Sequence, residues 1–349
     1  MSAAPADPVL AVDIGGTSLR LGLINAEGRL LGEIARYAVP FTDDGAGDLE
    51  GILALMAPHV ERARDAASGE LSVGISLCGN VDLESGDAIL VPNLGWRDLP
   101  FGALVSQRFE LPVCVATDVR QAVLAEAVWG AGAGERNFAW ATVGTGYGGY
   151  LFLNGRLYGG AHGFAGNFGH TTYDEINGHA CGCGRRGCFE TYVAGPAIAR
   201  AGQLAHEAGR SLILSSLASG GTISTRAVFR AIELGDPVAA QIVDDAIRLI
   251  CINLGGVVNL LDINLIVMGG GVAKAAPWLV ERVNERIRAY LMTAEAQREL
   301  RVTRESTANA ALWGAAAHVY AVQGILPRDI LESGRTHRAI RSWQTAASS

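Results

Sequence analysis

Residues 9–24 read VLAVDIGGTSLRLGLI, an apolar run that leads into a glycine turn and a second apolar segment. In the second segment apolar residues alternate at Leu19, Leu21 and Leu23, and a period of two predicts a strand with one buried face. The following NAEGRLLGEIARYAV supplies another turn and strand. The chain is therefore predicted to open with a β-meander whose first hairpin is rich in glycine.

Residues near 138–160 repeat this arrangement. NFAWATVGTGYGGYLFLNGRLYGGA again gives an apolar strand, a Gly-Thr-Gly turn and a second hairpin, and LINAEGRLLG resembles LFLNGRLYGG. Such internal similarity predicts a duplicated unit, and two facing copies would place both glycine hairpins across one cleft. A chance likeness of two glycine-rich hairpins is the alternative.

The rest of the chain alternates strand and helix patterns, which predicts an α/β fold with mixed sheets. PVCVATD is a predicted strand that feeds the helix RQAVLAEAVWG, residues 197–259 are mostly helical, and INLIVMGGG returns to strand and glycine loop. At 349 residues the chain exceeds the usual size of one core, so two lobes are expected. The predicted parts are a smaller lobe over 8–122, joined by a helix at about 307–325, a larger lobe over 123–306 and a flexible tail over 330–349.

Composition excludes several classes of protein. The net charge of -7 and the lack of a Lys/Arg run argue against nucleic-acid binding. No basic leader with an apolar stretch opens the chain and no apolar run is long enough to span a bilayer, so a soluble cytoplasmic protein with no membrane partner is expected. Three of the six cysteines crowd into residues 181–188, which is not the pattern of a disulfide framework.

The two glycine hairpins are candidate phosphate sites. A glycine turn exposes backbone N–H groups, so Gly15, Gly16 and Thr17 can wrap a phosphate, and Thr145 with Gly146 can grip the same phosphate chain. Asp13, at the end of the first strand, can orient hydrated Mg²⁺. For either hairpin alone a purely structural role is equally compatible with the sequence.

A third glycine loop lies at Gly269, Gly270 and Gly271, after the apolar strand LIVM and before a helix. In this context the backbone can approach a flat or anionic ligand closely, and an adenosine pocket fits. A tight strand-to-helix turn is the alternative. The loop lacks the spacing of the dinucleotide fingerprint, and no Walker A lysine pattern occurs.

Asp118 follows the strand PVCVAT and precedes a helix. Its carboxylate is predicted to project from a strand end, where α/β sheets commonly bind ligands, and can take a proton from a hydroxyl. A helix N-cap is the alternative, since Asp favours that position.

The segment GNFGHTTYDEINGHACGCGRRGCFE is the most specific signal. His170 with Cys181, Cys183 and Cys188 gives one imidazole and three thiolates, a set that suits a tetrahedral structural Zn²⁺. His179 competes with His170 as the imidazole ligand. With four protein ligands the metal has no open position, so it would organise the loop, leaving the second nitrogen of His170, and Glu190, to contact a substrate hydroxyl.

Together DIGGT, the ATD strand end, AHGFAGNFGH, CGCGRRGCFE and the GGG loop resemble the ROK family of sugar kinases and repressors, over residues 9 to 320. The resemblance implies a two-lobed actin/hexokinase-like fold, a homodimer, and ATP-dependent phosphorylation of a hexose, usually at the 6-hydroxyl. It assigns the catalytic base to Asp118. It assigns sugar contacts to Gly79, Asn93, Thr117, Asp118, Asn167, His170 and Glu190, and the zinc to His170, Cys181, Cys183 and Cys188.

The sequence departs from the family pattern at several positions. Thr117 stands where the family's Asn-Asp-x-Asn has an amide, Cys78-Gly79 replaces Pro-Gly, and Ser18 replaces a common lysine. Most consequentially, Asn167 stands where the family's ExGH motif has a glutamate that accepts from hydroxyls at the C1/C2 side of the sugar. An amide donates as well as accepts, so the predicted substrate is glucose or a related hexose, with an altered choice such as the amino sugar kanosamine as the hypothesis that Asn167 favours.

Three other functions are alternatives to an ATP-dependent hexose kinase. The family's repressors share the sugar-binding core but carry a DNA-binding module ahead of it, whereas eight residues precede the first strand here. A catalytically silent sugar sensor is compatible with Asn167 and Thr117, whereas the retained Asp13 and Asp118 argue against it. A glucomannokinase that uses polyphosphate as well as ATP would carry the same phosphate turns.

Overall fold

The computed structural model describes residues 6–161, 165–306 and 309–331 of the 349-residue chain. Its strands are β1 Val9–Ile14, β2 Ser18–Ile24, β3 Leu30–Ala38, β4 Ser72–Leu77, β5 Asn80–Val81, β6 Ala88–Val91, β7 Trp96–Leu99, β8 Val113–Thr117, β9 Phe138–Val143, β10 Tyr147–Leu153, β11 Arg156–Tyr158, β12 Leu265–Gly269 and β13 Arg301–Arg304. Its α-helices are α1 Leu49–Ala66, α2 Phe101–Phe109, α3 Asp118–Trp129, α4 Glu190–Val193, α5 Gly195–Glu207, α6 Leu212–Ser216, α7 Thr225–Glu233, α8 Pro237–Leu261, α9 Gly271–Ala275, α10 Pro277–Arg286, α11 Ala294–Glu299 and α12 Ala310–Gln323.

The chain divides into two compact units. The first consists of Met1–Gly134, Gly155–Leu157 and Ser306–Ser349, and the second of Glu135–Asn154 and Tyr158–Glu305. Each contains a five-stranded sheet, and the strand orders are β3-β2-β1-β4-β8 and β11-β10-β9-β12-β13. In both, an antiparallel meander is followed by two parallel strands. The predicted α/β class with duplicated mixed sheets is therefore confirmed.

In the first unit the predicted alternation along β2 buries one face of the sheet. Leu19 and Leu21 are buried, and Leu23 packs partly buried against the same cluster, which includes Met56 of α1 and Val105 of α2. A β-bulge between Leu21 and Leu23 interrupts the pairing with β3. Burial of this continuous apolar cluster stabilises the unit.

The other face of this sheet is packed closely by α12. A Cβ on Gly74 of β4 would lie 2.1 Å from the carbonyl oxygen of Ala315, and a Cβ on Gly314 would lie 1.7 Å from that of Gln121 in α3. Glycine at both positions lets α12 approach β4 and α3 more closely than any side chain would allow. Helix α3, which begins at Asp118, therefore packs directly against α12.

In the second unit the sheet packs against the long helix α8. Ala139, Ala141 and Met268 share one core with Ile247 and Leu254 of that helix. Asp236 caps α8, since its side chain accepts from the N–H groups of Val238 and Ala239.

Several elements were not predicted from the sequence. A small sheet of β5, β6 and β7 is inserted between β4 and α2, with a 3-10 turn at Pro92–Leu94. Other 3-10 turns lie at Phe168–His170, Ile287–Tyr290 and Arg328–Ile330. Of the predicted tail, Leu331 is buried, and residues 332–349 lie outside the described part of the chain. None of the helices in the described ranges has the length and apolar character that crossing a membrane requires.

Candidate active site and metal-binding loop

The parallel strands β1, β4 and β8 of the first unit bring Asp13, Ser76 and Thr117 to one edge of the sheet. Asp13 is 7% exposed, and both of its carboxylate oxygens have partners. Oδ1 accepts from the Ser76 hydroxyl at 2.9 Å, and Oδ2 accepts from Nη1 of Arg20 at 2.8 Å. Asp13 is therefore fixed in orientation. Neither partner was among the sequence candidates, although Arg20 lies in the same DIGGTSLR stretch.

Asp118 is the first residue of α3, and the preceding Thr117 occupies the N-cap. The Thr117 hydroxyl accepts from the Arg120 N–H, so the capping role considered for Asp118 belongs to its neighbour. Asp118 Oδ1 accepts from the Val119 N–H at 2.8 Å. Burial raises the pKa of Asp118 to about 6, and the negative charge of Asp13 adds to the rise while the Val119 hydrogen bond opposes it.

The small sheet places the other predicted sugar-contacting residues of this unit. Gly79 lies against β6, where an added Cβ would be 2.7 Å from the Leu90 carbonyl oxygen. Asn93 packs on the first glycine hairpin, because a Cβ on Gly16 would lie 2.9 Å from the Cβ of Asn93. Burial, and then the charge of Asp118, raise the pKa of Cys78 to about 11, so this thiol stays protonated beside the carboxylate.

The second glycine hairpin joins β9 and β10. It is closed by a hydrogen bond from the Gly144 N–H to the Gly146 carbonyl at 2.9 Å. The Tyr147 N–H donates to Glu190 Oε2 at 2.9 Å, and a Cβ on Gly146 would lie 2.8 Å from the same oxygen. Glycine at 146 is thus required for this carboxylate to reach the hairpin.

A pocket of about 470 Å³ opens beside this hairpin, within the size range of small-molecule sites. It is lined by Gly144, Thr145, Gly195, Pro196, Ala199, Ser224, Thr225, Arg226, Phe229, Gly271, Val272 and Ala275. The hairpin and the third glycine loop therefore meet at one cavity. Gly270 has φ +93°, and a Cβ there would lie 2.5 Å from the Thr142 hydroxyl, so the loop needs glycine for its turn as well. The contribution of α5 and α7, including Arg226 and Phe229, was not predicted.

The predicted metal ligands meet in the second unit. One ligand atom from each of His170, Cys181, Cys183 and Cys188 lies within 4.8 Å of the others. Tetrahedral zinc–thiolate bonds of about 2.3 Å place ligand atoms about 3.8 Å apart, so this donor set fits a structural Zn²⁺ with little adjustment. Burial raises the pKa of Cys181 and Cys188, and a bound cation would supply the charge that favours their thiolates.

The geometry favours His170 over His179 as the imidazole ligand. His170 Nδ1 lies 3.5 Å from Cys181 Sγ, whereas the His179 ring lies 5.1 Å from the Tyr192 ring at an angle of 44° and is not part of the cluster. With Nδ1 turned to the thiols, Nε2 of His170 is the nitrogen left for a substrate. Glu190 Oε1 lies 4.0 Å from His170 Nδ1, beside the same loop.

Asn253 of α8 supports the turn that carries His170, a role that sequence analysis missed. This buried amide donates to the Phe168 carbonyl at 3.1 Å and to the Thr171 hydroxyl at 2.8 Å. Its oxygen accepts from the Tyr147 hydroxyl at 2.9 Å. The metal loop and the glycine hairpin are thereby joined through one side chain. Asn167, at the start of the turn, is exposed.

The two five-stranded sheets of mixed topology and the loop that carries the cysteine cluster define an α/β protein of the actin/hexokinase-like class. The chain belongs to the ROK family, whose profile matches residues 9–321. It is 31% identical over 287 residues to a glucokinase of Streptomyces coelicolor, covering 81% of this chain and 88% of that protein. It is 32% identical over 276 residues to an N-acetylmannosamine kinase of Yersinia pestis, covering 78% and 86%.

Solved structures of ROK family proteins resemble this chain as well. A ROK family glucokinase from Streptomyces griseus in complex with glucose and AMPPNP matches with a TM-score of 0.72 and 31% identity, over 88% of this chain and 98% of that one. A ROK family transcriptional regulator, a homologue of the E. coli MLC protein, matches with a TM-score of 0.77 and 25% identity, over 89% and 76%. The glucokinase relatives in sequence and in structure place the chain among the hexose kinases of this family.

Proposed function

We propose that the protein transfers the γ-phosphoryl group of ATP to the 6-hydroxyl of a hexose, with Asp118 as the general base. The observation that carries this proposal is the position of Asp118 at the carboxyl edge of β1, β4 and β8, with its pKa raised to about 6. A base of that pKa is ionised at pH 7 yet accepts a proton more readily than an ordinary aspartate. It would orient the hydroxyl and take its proton as the phosphoryl group transfers.

The donor would occupy the cavity lined by Thr145, Gly271 and Phe229. Its apolar wall suits an adenine ring, and the glycine turns offer backbone N–H groups to phosphates. Arg226 lines the same cavity and supplies positive charge. Mg²⁺ would neutralise charge on the β- and γ-phosphates, and Asp13, held by Arg20 and Ser76, would orient its water shell.

The family resemblance suggests that the sugar would contact Gly79, Asn93, His170 and Glu190. A structural Zn²⁺ on the thiolate cluster would fix the loop, and His170 Nε2 would be free to donate to a sugar oxygen. The family resemblance further suggests a homodimer.

Because Asn167 stands in place of the family's glutamate, we propose an amino hexose such as kanosamine as the preferred substrate and glucose as a poorer substrate. An amide can donate as well as accept, and replacing a carboxylate removes a charge-assisted bond worth about 1.5–3 kcal/mol to a sugar hydroxyl. The N-acetylmannosamine kinase relative supports amino sugars as a substrate class within this family. Asn167→Glu should raise kcat/KM for glucose about tenfold or more relative to 3-amino-glucose. Unchanged relative rates would contradict this role.

ADP release over glucose, mannose, N-acetylated hexosamines and 3-amino-glucose tests the proposed reaction. Wild-type protein should release ADP with at least one of these sugars, and Asp118→Ala should lower kcat by orders of magnitude while sugar binding remains measurable. A near-normal kcat in Asp118→Ala would dismiss the proposed base.

A bulky substitution in the cavity of the second unit tests whether ATP binds there as the phosphoryl donor. Ala199→Phe adds a ring to the wall formed by α5 and should raise the KM for ATP about tenfold or more. Leu204→Phe, at an exposed position of the same helix, is the matched control. If polyphosphate supports turnover and Ala199→Phe does not affect that reaction, the protein is a kinase with two donors.

A sugar-sensing regulatory protein is the second candidate, since a transcriptional regulator shares the fold. It predicts sugar binding with no ADP release for any hexose in the panel. The retained Asp13 and Asp118 favour the kinase.

A further inference from the structure

The helix α9, which follows the third glycine loop, is too short to hold its own position. It consists of the five residues Gly271–Ala275, and isolated helices of this length are unstable in water. The preceding Gly270 has a φ of +93°, and glycine loses more conformational freedom on folding than any other residue. Contacts with the rest of the second unit therefore fix this helix and the loop before it.

The residues of α9 divide between the donor cavity and an ion pair. Gly271, Val272 and Ala275 line the cavity. Lys274 of the same helix instead extends its ammonium group to Glu305, whose Oε1 lies 2.7 Å from Nζ. The ion pair therefore joins a helix of the cavity wall to the residue that follows β13.

The local sequence leaves room for the Glu305 carboxylate. The Glu305 N–H donates to the Met268 carbonyl at 2.9 Å, which places the residue beside the end of β12. A Cβ on Gly269 would clash with Glu305 Oε2 and would lie 2.7 Å from Cζ2 of Trp140. Glycine at 269 is thus required for the carboxylate to lie beneath the loop that leads into α9.

Burial of one partner distinguishes this ion pair from exposed pairs such as Arg298–Glu295, whose side chains are 64% and 70% exposed. Exposed pairs contribute little because water screens both charges. The Glu305 side chain is only 7% exposed, and a carboxylate that has lost most of its hydration requires cations or hydrogen-bond donors in its place. Lys274 supplies a cation, so Glu305 favours the position of α9 in which the ammonium group lies beside it.

We propose that Lys274 is a positioning residue for the phosphoryl donor, which acts through Glu305 to hold α9 and the turn at Gly270 in place beside the donor cavity. The inference rests on the proposed kinase function, because it takes this cavity as the site of ATP. With the pair intact, the part of the cavity wall formed by α9 is in position before the nucleotide arrives. Loss of the pair would weaken nucleotide binding and leave the binding of hexose alone unchanged.

Variants of the pair test this role. Lys274→Met removes the charge and keeps the length of the side chain, Glu305→Gln removes the charge of the carboxylate, and the double variant removes both charges. Lys274→Arg retains a positive charge. Arg298→Met, which breaks the exposed pair with Glu295, is the matched control. Calorimetry measures the Kd of AMPPNP without sugar and the Kd of the best hexose without nucleotide, and steady-state assays give kcat and the KM for ATP.

Lys274→Met should raise the Kd of AMPPNP and the KM for ATP about tenfold or more, because it removes the cation from a buried carboxylate. The kcat at saturating ATP and the Kd of hexose should stay within about twofold of wild type. Lys274→Arg and Arg298→Met should bind AMPPNP as wild type does. The double variant should bind AMPPNP no more weakly than Lys274→Met, since Lys274 and Glu305 act as one pair.

Wild-type affinity for AMPPNP in Lys274→Met would overturn the proposal, and so would equal weakening of AMPPNP and hexose binding, because the latter indicates a general structural role. Additive losses in the double variant would show that Lys274 and Glu305 act separately, and would overturn it as well. So would a wild-type protein that does not bind AMPPNP. Binding is measured without turnover, so a wild-type protein that binds AMPPNP and phosphorylates no hexose would refute the kinase proposal, while the variants would still decide this inference.

Discussion

The Glu190 carboxylate accepts a hydrogen bond from the Tyr147 backbone N–H at 2.9 Å, so the helix turn after the thiolate cluster is tied to the glycine hairpin beside the donor cavity. Its other oxygen lies 4.0 Å from His170 Nδ1. One side chain thus connects the proposed sugar-recognition loop with the proposed phosphate hairpin. A change in the loop that carries His170 is therefore expected to affect the glycine hairpin beside the donor cavity, and the reverse.

Glu190→Gln should lower kcat/KM for the hexose about tenfold or more. The amide can still accept from Tyr147, but the charge offered to a sugar hydroxyl is lost, which costs about 1.5–3 kcal/mol. Glu207→Gln, an exposed substitution on α5, is the control and should behave as wild type. Steady-state kinetics with zinc analysis of each sample provides the measurement, and an unaltered kcat/KM at full zinc content would rule out a sugar contact.

The rate should depend on pH through Asp118. Its pKa is raised to about 6, and the base acts in its ionised form, so log kcat/KM for the hexose should rise with a slope near 1 below pH 6 and level off above it. Initial rates between pH 5 and 8, at constant ionic strength and with zinc content checked, give the profile. A flat profile across this range would be incompatible with Asp118 as the base.

Asp118→Asn should stabilise the fold at pH 8. The folded-state pKa of about 6 exceeds that of an unfolded aspartate, so ionisation opposes folding above pH 6, and this cost disappears below about pH 4. A shift of about two units corresponds to at most about 3 kcal/mol, less the part screened by solvent. Thermal unfolding should give a higher Tm for Asp118→Asn at pH 8 and equal values near pH 4. Equal Tm values at pH 8 would show that this carboxylate is well solvated.

His170→Ala and His179→Ala separate the two candidate imidazole ligands. Since only His170 lies within the cluster of thiols, His170→Ala should lose most of the bound zinc and lower the Tm, while His179→Ala should retain it. Zinc is measured by atomic absorption after dialysis against a weak chelator. Equal zinc content in the two variants would mean that the loop binds metal in another way.

Much of the fold was predictable from local patterns. The alternation at Leu19 and Leu21 and the repeated glycine hairpin predicted both meanders, because period and turn chemistry are local properties. The CxC pattern with His170 predicted the metal cluster for the same reason. The sequence alone could not decide whether His170 or His179 is the imidazole ligand, since both lie close to the cysteines along the chain. The three-dimensional arrangement of the cluster distinguishes them.

The unpredicted features depend on contacts between distant segments. Asn253 lies in the middle of α8, and nothing in its neighbours indicates that it binds the turn at Phe168. In the sequence Glu126 resembles an ordinary helical glutamate. Its carboxylate accepts hydrogen bonds from Ser306, a residue 180 positions further along the chain, and no local pattern predicts that contact. The strands β5 to β7 are two to four residues long, too short to show a period.

The most direct test of the account is ADP release by wild-type protein and Asp118→Asn, each zinc-loaded, with Mg-ATP and the hexose panel. The account predicts hexose-dependent ADP release by wild type and a loss of kcat of several orders of magnitude in Asp118→Asn, with hexose binding retained. Hexose-dependent ADP release at a similar rate by both proteins would contradict it.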